Sequence, residues 1–241
     1  MVTAAHSWYR MGVAQGTENR IVRYLRARWQ AVVVTAVIIA GQAAVASALD
    51  WHPVWVLPVV SAVLLLATVA VYDPVDGRPR RGMKLLAITL IIVLAAVSAL
   101  CLAVLLRRVF TGDNTMTAAR LLGSGLALWL VNLLVFALAY WELDAGGPEH
   151  RRAGLHRRHH PYPDLVFPQQ QADPAMRLAP SDWRPGFADY LFVSLTASTA
   201  FSPTDTMPWS RLAKLLMGTE SVISFLTFGL LLASAINLAA T

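Results

Sequence analysis

Residues 85–106 read LLAITLIIVLAAVSALCLAVLL, a run of 22 residues without a single Asp, Glu, Lys or Arg. In a helix that rises 1.5 Å per residue, such a run measures about 33 Å, and the hydrocarbon core of a bilayer is about 30 Å thick. Inside lipid no water can pair with backbone amides, so the run must be helical. A core helix of a soluble protein carries a polar stripe, and this run has none.

Four further stretches lack charged residues in the same way: 31–49, 54–72, 121–141 and 221–241. The whole chain of 241 residues is 56% hydrophobic and only 14% charged, whereas a soluble domain has about 25% charged residues. We therefore predict an all-α integral membrane protein with about five transmembrane helices. The frequent Ala, Leu, Val and Arg residues indicate a bacterial source, so the expected location is the bacterial inner membrane, in a multi-pass arrangement.

Basic residues give the chain a net charge of +6 and lie mainly outside the apolar stretches. They concentrate in the N-terminal segment 1–29 and in the segments 73–84 and 143–186. Lys and Arg are retained on the cytoplasmic side of membrane proteins, so we expect these segments in the cytoplasm, beside anionic lipids and not bound to nucleic acid. Segment 1–29 is either an interfacial amphipathic helix or simply the basic flank of the first span.

The sequence gives no indication of an enzyme, a cofactor or a metal site. Cys101 is the only cysteine and lies inside an apolar stretch, which excludes a disulfide framework and a thiolate metal site. The segment 149–160, EHRRAGLHRRHH, is rich in histidine, but its interleaved arginines oppose the binding of a dication. We therefore interpret 143–186 as a mostly irregular, solvated basic loop. For the chain as a whole, we expect no catalytic residue, cofactor or metal.

The segment before the last apolar stretch, residues 187–209, reads FADYLFVSLTASTAFSPTDTMPW. Its pattern predicts a short helix over 188–200 that begins near Asp189, becomes rich in hydroxyl groups and ends before Pro203. At membrane depth, a half-length helix followed by irregular backbone is tolerated only inside protein or beside a watery cavity. We predict a re-entrant helix and turn, and the alternative is that 188–205 forms a sixth span.

The last half of the chain resembles the pore module of potassium-channel-like (pore-loop cation channel) proteins. The resemblance lies in the order of the parts: an outer helix at 119–142, a polar basic loop at 143–186, a re-entrant helix and turn at 187–209 with the pattern D-x-L-x-x-S-x-T, and a last helix at 210–241. The matching side chains are Asp189, Tyr190, Ser194, Thr196, Thr199, Asp205, Arg211 and Lys214. Before this module, the chain has the basic segment and its first three transmembrane helices, at 30–118.

Most of the chain also resembles a bacterial family of multi-pass membrane proteins labelled as a domain of unknown function. The shared feature is a span that ends in F-A-L-x-Y, here Phe136, Ala137, Leu138 and Tyr140, followed by a similar C-terminal part. This second resemblance implies a multi-pass fold and no particular activity.

The pore resemblance implies a homotetramer, because a single pore loop cannot enclose a path for monovalent cations. It assigns these residues to the pore and filter: Thr196, Ser198, Thr199, Ala200, Phe201, Ser202, Pro203, Thr204 and Asp205. A potassium filter reads T-V-G-Y-G, and here both glycines are missing, so a cage of backbone carbonyls is not expected. Any selectivity would come from hydroxyl groups and the Asp205 carboxylate. The competing interpretation is a non-conducting scaffold, or a small transporter, that keeps the loop shape for packing.

Glu220 lies inside the last helical region, where a bare carboxylate is energetically expensive. It is a candidate ion or proton site if it faces a watery interior. Alternatively, it reaches the interface and pairs with Lys214 or Arg211, or it faces lipid.

Uncharged residues in the fourth apolar stretch predict how the helices pack. Asn132 is expected to hydrogen-bond to a neighbouring helix, and Gly123 and Gly125 are expected to allow close helix approach.

Overall fold

A computed structural model describes residues 20–49, 56–70, 81–111, 117–152, 163–171, 180, 183–199 and 205–239, and these are mainly helical. The elements in chain order are α1 (Arg20–Ala48), α2 (Val56–Ala70), α3 (Arg81–Phe110), α4 (Ala118–Leu143), α5 (Pro148–Arg152), β1 (Leu165–Val166), α6 (Pro168–Gln171), α7 (Phe187–Thr199), β2 (Met207–Pro208) and α8 (Arg211–Ala239). A 3-10 turn, Asp144–Gly146, follows α4 directly.

Four helical stretches are long and apolar enough to cross a membrane, judged by length and composition. They are Arg28–Ala48, Gly82–Phe110, Ala119–Gly146 and Arg211–Leu232. The apolar part of α2, Pro58–Ala70, is shorter, and the predicted span 54–72 extends beyond the described residues at both of its ends. The predicted all-α class, with membrane-type helices, is confirmed.

Helix α4 is the centre of the bundle, and α1, α3, α7 and α8 all pack against it. From residue 131 to residue 142, nearly every side chain of α4 is buried. A helix that is enclosed on all sides needs no polar stripe, which explains why the sequence there is apolar around the whole circumference of the helix. The other long helices cover α4 and carry most of the exposed apolar side chains.

Two glycines allow other helices to approach α4 closely. A Cβ atom at Gly41 of α1 would lie 2.6 Å from Cγ2 of Val131, and a Cβ atom at Gly125 would lie 2.9 Å from Cδ2 of Leu231 of α8. The close approach predicted at Gly125 is confirmed, whereas a Cβ atom at Gly123 would meet nothing within 4 Å.

Both ends of the segment that contains α7 lie at the same end of the bundle. At the start, the Phe187 ring packs edge-on against Trp141 near the end of α4, with the ring centroids 6.0 Å apart. At the finish, β2 pairs antiparallel with β1. Strand β1 is itself held to the end of α4, because the Leu165 N–H donates to the Asp144 carboxylate at 3.1 Å. The chain therefore runs into the bundle at residue 187 and is back at the same end by residue 207.

The long helices α1 and α8 run antiparallel to α4. Along α8, Glu220 lies beside Tyr140 and Leu231 lies beside Gly125, which fixes its direction. The apolar part of α1 begins at the end of the bundle where α4 ends, because Arg28 is hydrogen-bonded to Glu142 near the end of α4. We call this end the Arg28 end, and the opposite end, where α3 finishes and α4 begins, the far end.

Gly41→Ala should lower the stability of the bundle by about 1–3 kcal/mol, because the added methyl group overpacks against the stiff Val131 side chain. Gly123→Ala is the matched control, since it adds the same methyl group in open space and should be neutral or slightly stabilising in a helix. Thermal unfolding of both purified variants in one detergent measures the difference. Equal melting temperatures would mean that α1 and α4 are not in close contact at Gly41.

Candidate functional site

The Glu220 carboxylate on α8 is fully enclosed in the bundle, with none of the residue exposed. Its Oε2 accepts a hydrogen bond from the Tyr140 hydroxyl at 2.5 Å, and its Oε1 accepts one from the Ser198 hydroxyl at 2.8 Å. The Ser194 hydroxyl also donates to Oε1. We call Glu220, Tyr140, Ser194 and Ser198 the Glu220 cluster. It joins α4, α7 and α8 through side chains alone.

Helical spacing brings these side chains together. Ser194 and Ser198 are four residues apart, so they lie one turn apart on one face of α7. Tyr140 is near the end of α4 and Glu220 is in the first half of α8, so antiparallel packing places them at the same depth. A buried carboxylate needs donors, and hydrogen bonds to a charged group are worth about 1.5–3 kcal/mol each.

Ser194 has two acceptors within reach and one hydrogen to donate. Its Oγ lies 2.7 Å from the carbonyl oxygen of Leu133 and also contacts Oε1 of Glu220. A serine hydroxyl donates one hydrogen bond at a time, so the two acceptors compete. An alternative arrangement is therefore within reach, in which the Ser194 hydroxyl donates to the Leu133 carbonyl and no longer to Glu220.

This geometry decides between the interpretations of Glu220. Full burial excludes a side chain that reaches out to the interface or faces lipid. Lys214 and Arg211 are exposed on the first turn of α8, and the hydrogen-bond partners of Glu220 among the described residues are hydroxyl groups. The pairing of Glu220 with either cation is therefore wrong, and the interior-facing interpretation fits. Its role as an ion or proton site stays a prediction.

The short helix predicted over 188–200 is present as α7, Phe187–Thr199. Asp189 lies in its first turn, and its Oδ2 accepts a hydrogen bond from the Gly186 N–H at 2.7 Å. A carboxylate in this position satisfies a backbone donor and suits the positive end of the helix dipole.

The structure separates the residues predicted to form the pore. Ser198 belongs to the Glu220 cluster, whereas the Thr196 and Thr199 hydroxyls each donate at 3.0 Å to the carbonyl four residues earlier in their own helix. Asp205 is exposed. The other predicted filter residues lie outside the described part of the chain: Ala200, Phe201, Ser202, Pro203 and Thr204.

A second buried ionic group lies at the Arg28 end, and no pattern in the sequence predicted it. Arg28, at a kink in α1, donates to both carboxylate oxygens of Glu142 at 3.1 Å and to those of Glu149 at 2.5 and 2.6 Å. Its guanidinium also lies 5.5 Å from the centre of the Trp141 ring. The interpretation of Arg28 as part of a basic flank beside lipid is wrong, because two carboxylates hold it inside the protein. In the sequence, the one indication of this buried ionic group was Glu142, an acidic residue directly after an apolar stretch.

The described start of the 143–186 segment is ordered and buried, not solvated. Asp144 accepts hydrogen bonds from the N–H groups of residues 164 and 165 at 3.0 and 3.1 Å and from the Tyr190 hydroxyl at 2.6 Å. The Arg151 guanidinium donates to the carbonyl oxygens of Trp141 and Asp144. The expectation of an irregular, solvated loop is therefore wrong for residues 144–152.

The histidine-rich segment 149–160 is described only as far as Arg152. Within that part, His150 is half-buried in α5, and His156, His159 and His160 lie outside it. Across the described ranges, no group of three or more His, Cys, Asp or Glu side chains is arranged to hold a metal ion.

Comparison with known proteins gives no match, whether to a family model, a curated protein or a solved structure. The resemblances to pore modules and to the bacterial multi-pass family therefore stay predictions drawn from residues such as Asp189 and Tyr140.

Ser198→Ala should destabilise the folded protein by about 1.5–3 kcal/mol, because it removes a donor from a buried carboxylate. Thr199→Val is the matched control on the same helix, since its hydroxyl donates only within α7 among the described contacts, and its loss should cost less than about 1 kcal/mol. Unfolding in detergent, followed by circular dichroism, measures both variants.

A double-mutant cycle makes this prediction sharper. In a Glu220→Gln background, Ser198→Ala should cost clearly less, since the charged acceptor is already gone. If Ser198→Ala costs no more than Thr199→Val with Glu220 present, the carboxylate does not hold α7 in place.

Proposed function

We propose that this chain is a pore-loop cation channel-like protein of the bacterial inner membrane, with about five spans and a re-entrant loop at 187–209. The path of that loop carries the proposal: α7 is 13 residues long and runs into the bundle from the Arg28 end, to which the chain returns at β2. Thirteen residues of helix measure about 20 Å, well short of the roughly 30 Å needed to cross the hydrocarbon core. The alternative of a sixth span over 188–205 fits this path poorly.

The placement of α7 supports a site for cations. Its C-terminal end points into the bundle, where Ser198 contacts Glu220 and the Ala197 carbonyl accepts from Ser221 at 3.3 Å. The C-terminal end of a helix carries a partial negative charge, which favours a cation nearby. A filter also needs a rigid support, and the hydrogen bonds from α7 to α4 and α8 supply one at a fixed depth.

Conduction through this loop requires several copies of the chain around an axis, and we propose a homotetramer. Within the described part of the chain, one face of α7 is left uncovered, with Phe192 60% exposed and Leu195 39% exposed. The half-buried Thr196 and Thr199 adjoin the same face. Copies related by fourfold symmetry would place these faces around a common path for monovalent cations.

For Glu220, the same geometry favours a proton over a metal cation. A metal ion would have to replace hydroxyl hydrogens that already point at the carboxylate, from Tyr140, Ser194 and Ser198. A proton requires less change, because a hydroxyl can rotate and accept, and Ser194 already has the Leu133 carbonyl within 2.7 Å.

One observation favours the alternative of a non-conducting scaffold or small transporter. The hydroxyls of Ser194 and Ser198 are bound to Glu220, and those of Thr196 and Thr199 are bound to carbonyls of their own helix. Hydrogen bonds that fix α7 to α8, or that form within α7, therefore account for all of these hydroxyls without any contact to an ion.

Cation flux into liposomes distinguishes the two functions. Wild-type protein should pass K⁺ or Na⁺ down a gradient, and Asp205→Asn should reduce the flux about two- to tenfold at low salt, because it removes an exposed charge at the mouth of the loop. Asp76→Asn is the matched control, since it removes the same charge from the basic segment 73–84.

The yield and melting temperature of Asp205→Asn should equal those of wild type, so that a lower flux reflects conduction and not folding. Wild-type protein that passes neither cation, and that is monomeric in native mass spectra, would refute the channel function in favour of a scaffold. Equal losses from Asp205→Asn and Asp76→Asn would refute a role for Asp205.

A further inference from the structure

Helices α3 and α8 both pack along α4, but among the described residues they make few direct contacts with each other. The gap between them is a crevice of about 300 Å³. On the α3 side its wall is made mainly of small residues, together with Leu102. Ala96 and Ala99 are exposed, so the crevice opens at the outer surface of the bundle. On α4 it extends from Leu128 to Phe136, eight residues or about 12 Å.

The wall of the crevice offers apolar contacts although several polar residues line it. The Ser98 hydroxyl donates to the Leu94 carbonyl at 2.9 Å, and the Thr227 hydroxyl donates to the Ile223 carbonyl at 2.8 Å. Asn132 donates to Ser224 of α8 at 3.3 Å, which confirms the interhelical hydrogen bond predicted for it. Because these three donors are already used within the bundle, an apolar occupant leaves their hydrogen bonds intact.

The size of the crevice limits what that occupant can be. A helix with its side chains is about 10–12 Å across, which is too thick for a gap of this volume, so a span of another chain does not fit inside. A single hydrocarbon chain is thin enough, and part of its length can lie along the crevice on α4. The surrounding surface is of the type that faces lipid, with Leu100 and Val222 exposed on the neighbouring faces of α3 and α8.

Exposed cations lie beyond the crevice at the far end. Arg107 is eleven residues after Ala96, which is about three full turns, so the two lie on the same face of α3. Arg120 lies on the first turn of α4, about two turns before Leu128. Their neighbour Arg108 has a separate structural role, since it donates to the carbonyl at the end of α1, Leu49, at 2.5 Å.

The position of these arginines departs from the usual enrichment of Lys and Arg on the cytoplasmic side of membrane proteins. The basic segments 1–29 and 73–84 indicate that the Arg28 end is cytoplasmic, and translocated ends of membrane proteins carry few arginines. A negatively charged ligand at the far end would account for the exposed Arg107 and Arg120 side chains. The phosphate of a membrane lipid carries such a charge and is joined to the apolar chain that the crevice fits.

We propose that the crevice between α3, α4 and α8 binds one acyl chain of an anionic phospholipid, whose phosphate contacts Arg107 and Arg120. The residues that line the crevice on α4 and α8 differ from those that hydrogen-bond to α7, and the two sites adjoin where the Phe136 ring lies 6.2 Å from the Tyr140 ring. Lipid binding here therefore does not depend on whether the protein conducts.

The test uses full-length protein in vesicles that contain phosphatidylglycerol or phosphatidylcholine with a spin label near the end of one chain. Wild-type protein should immobilise a fraction of the labelled lipid, and more of the phosphatidylglycerol than of the phosphatidylcholine. Ala96→Phe fills the crevice and should remove most of this fraction. Leu100→Phe is the control, because it adds a ring on the exposed surface of α3 outside the crevice, and should leave the fraction unchanged.

The charge variants test the headgroup without touching the crevice. Arg107→Gln and Arg120→Gln are surface changes, and each should lower the preference for phosphatidylglycerol about fivefold while leaving phosphatidylcholine binding unchanged. These variants keep the proposal testable if Ala96→Phe fails to fold.

Three outcomes would overturn the proposal. One is equal immobilisation of lipid by wild type and a folded Ala96→Phe variant. Another is equal immobilisation of phosphatidylglycerol and phosphatidylcholine by wild type. The third is a change in oligomeric state with Ala96→Phe but no change in lipid, which would assign the crevice to a second copy of the chain.

Discussion

The buried Glu220 carboxylate is the constraint on which the C-terminal half of the bundle depends. A carboxylate with no exposed surface inside an apolar bundle must be hydrogen-bonded, since its burial without donors would cost several kcal/mol. The donors are Tyr140 of α4 and the two serines of α7. Satisfying this one group therefore fixes how deep α7 lies and which of its faces turns inward. The depth of α8 follows as well, because Glu220 must lie at the level of Tyr140.

A second set of buried polar contacts holds the Arg28 end together and gives α7 its starting point. Arg28 joins α1 to Glu142 and Glu149, on either side of the turn that follows α4. Within that turn, Asp144 holds β1 and the Tyr190 hydroxyl of α7. A short helix that is fixed both at its first turn and at its last turn has little freedom to tilt. Such a helix is a suitable support for a loop whose geometry matters, whether that loop conducts or only packs.

The sequence predicted those features that depend on local pattern. Uncharged runs predicted the apolar helices, the spacing of residues 188–200 predicted α7, and an isolated acidic residue in an apolar region drew attention to Glu220. The partners of Glu220 could not be predicted, because Tyr140, Ser194 and Ser198 are 22 to 80 residues away and meet it only through tertiary packing. Arg28 was misread for the same reason, since its carboxylates are more than 100 residues away and neither forms a motif with it. The crevice follows from a gap between two helices, and small residues such as Ala96 do not by themselves indicate a gap.

Cysteine accessibility tests the re-entrant path of residues 187–209 most directly. In a Cys101→Ser background, single substitutions Gly186→Cys, Trp209→Cys and Thr117→Cys mark the two ends of the loop and the far end of the bundle. A membrane-impermeant thiol reagent should label Gly186→Cys and Trp209→Cys from one side, the cytoplasmic one, and Thr117→Cys from the other side only. Labelling of Gly186→Cys and Trp209→Cys from opposite sides would show that 187–209 crosses the membrane completely, and would contradict both the re-entrant loop and the role of Glu220 in holding it.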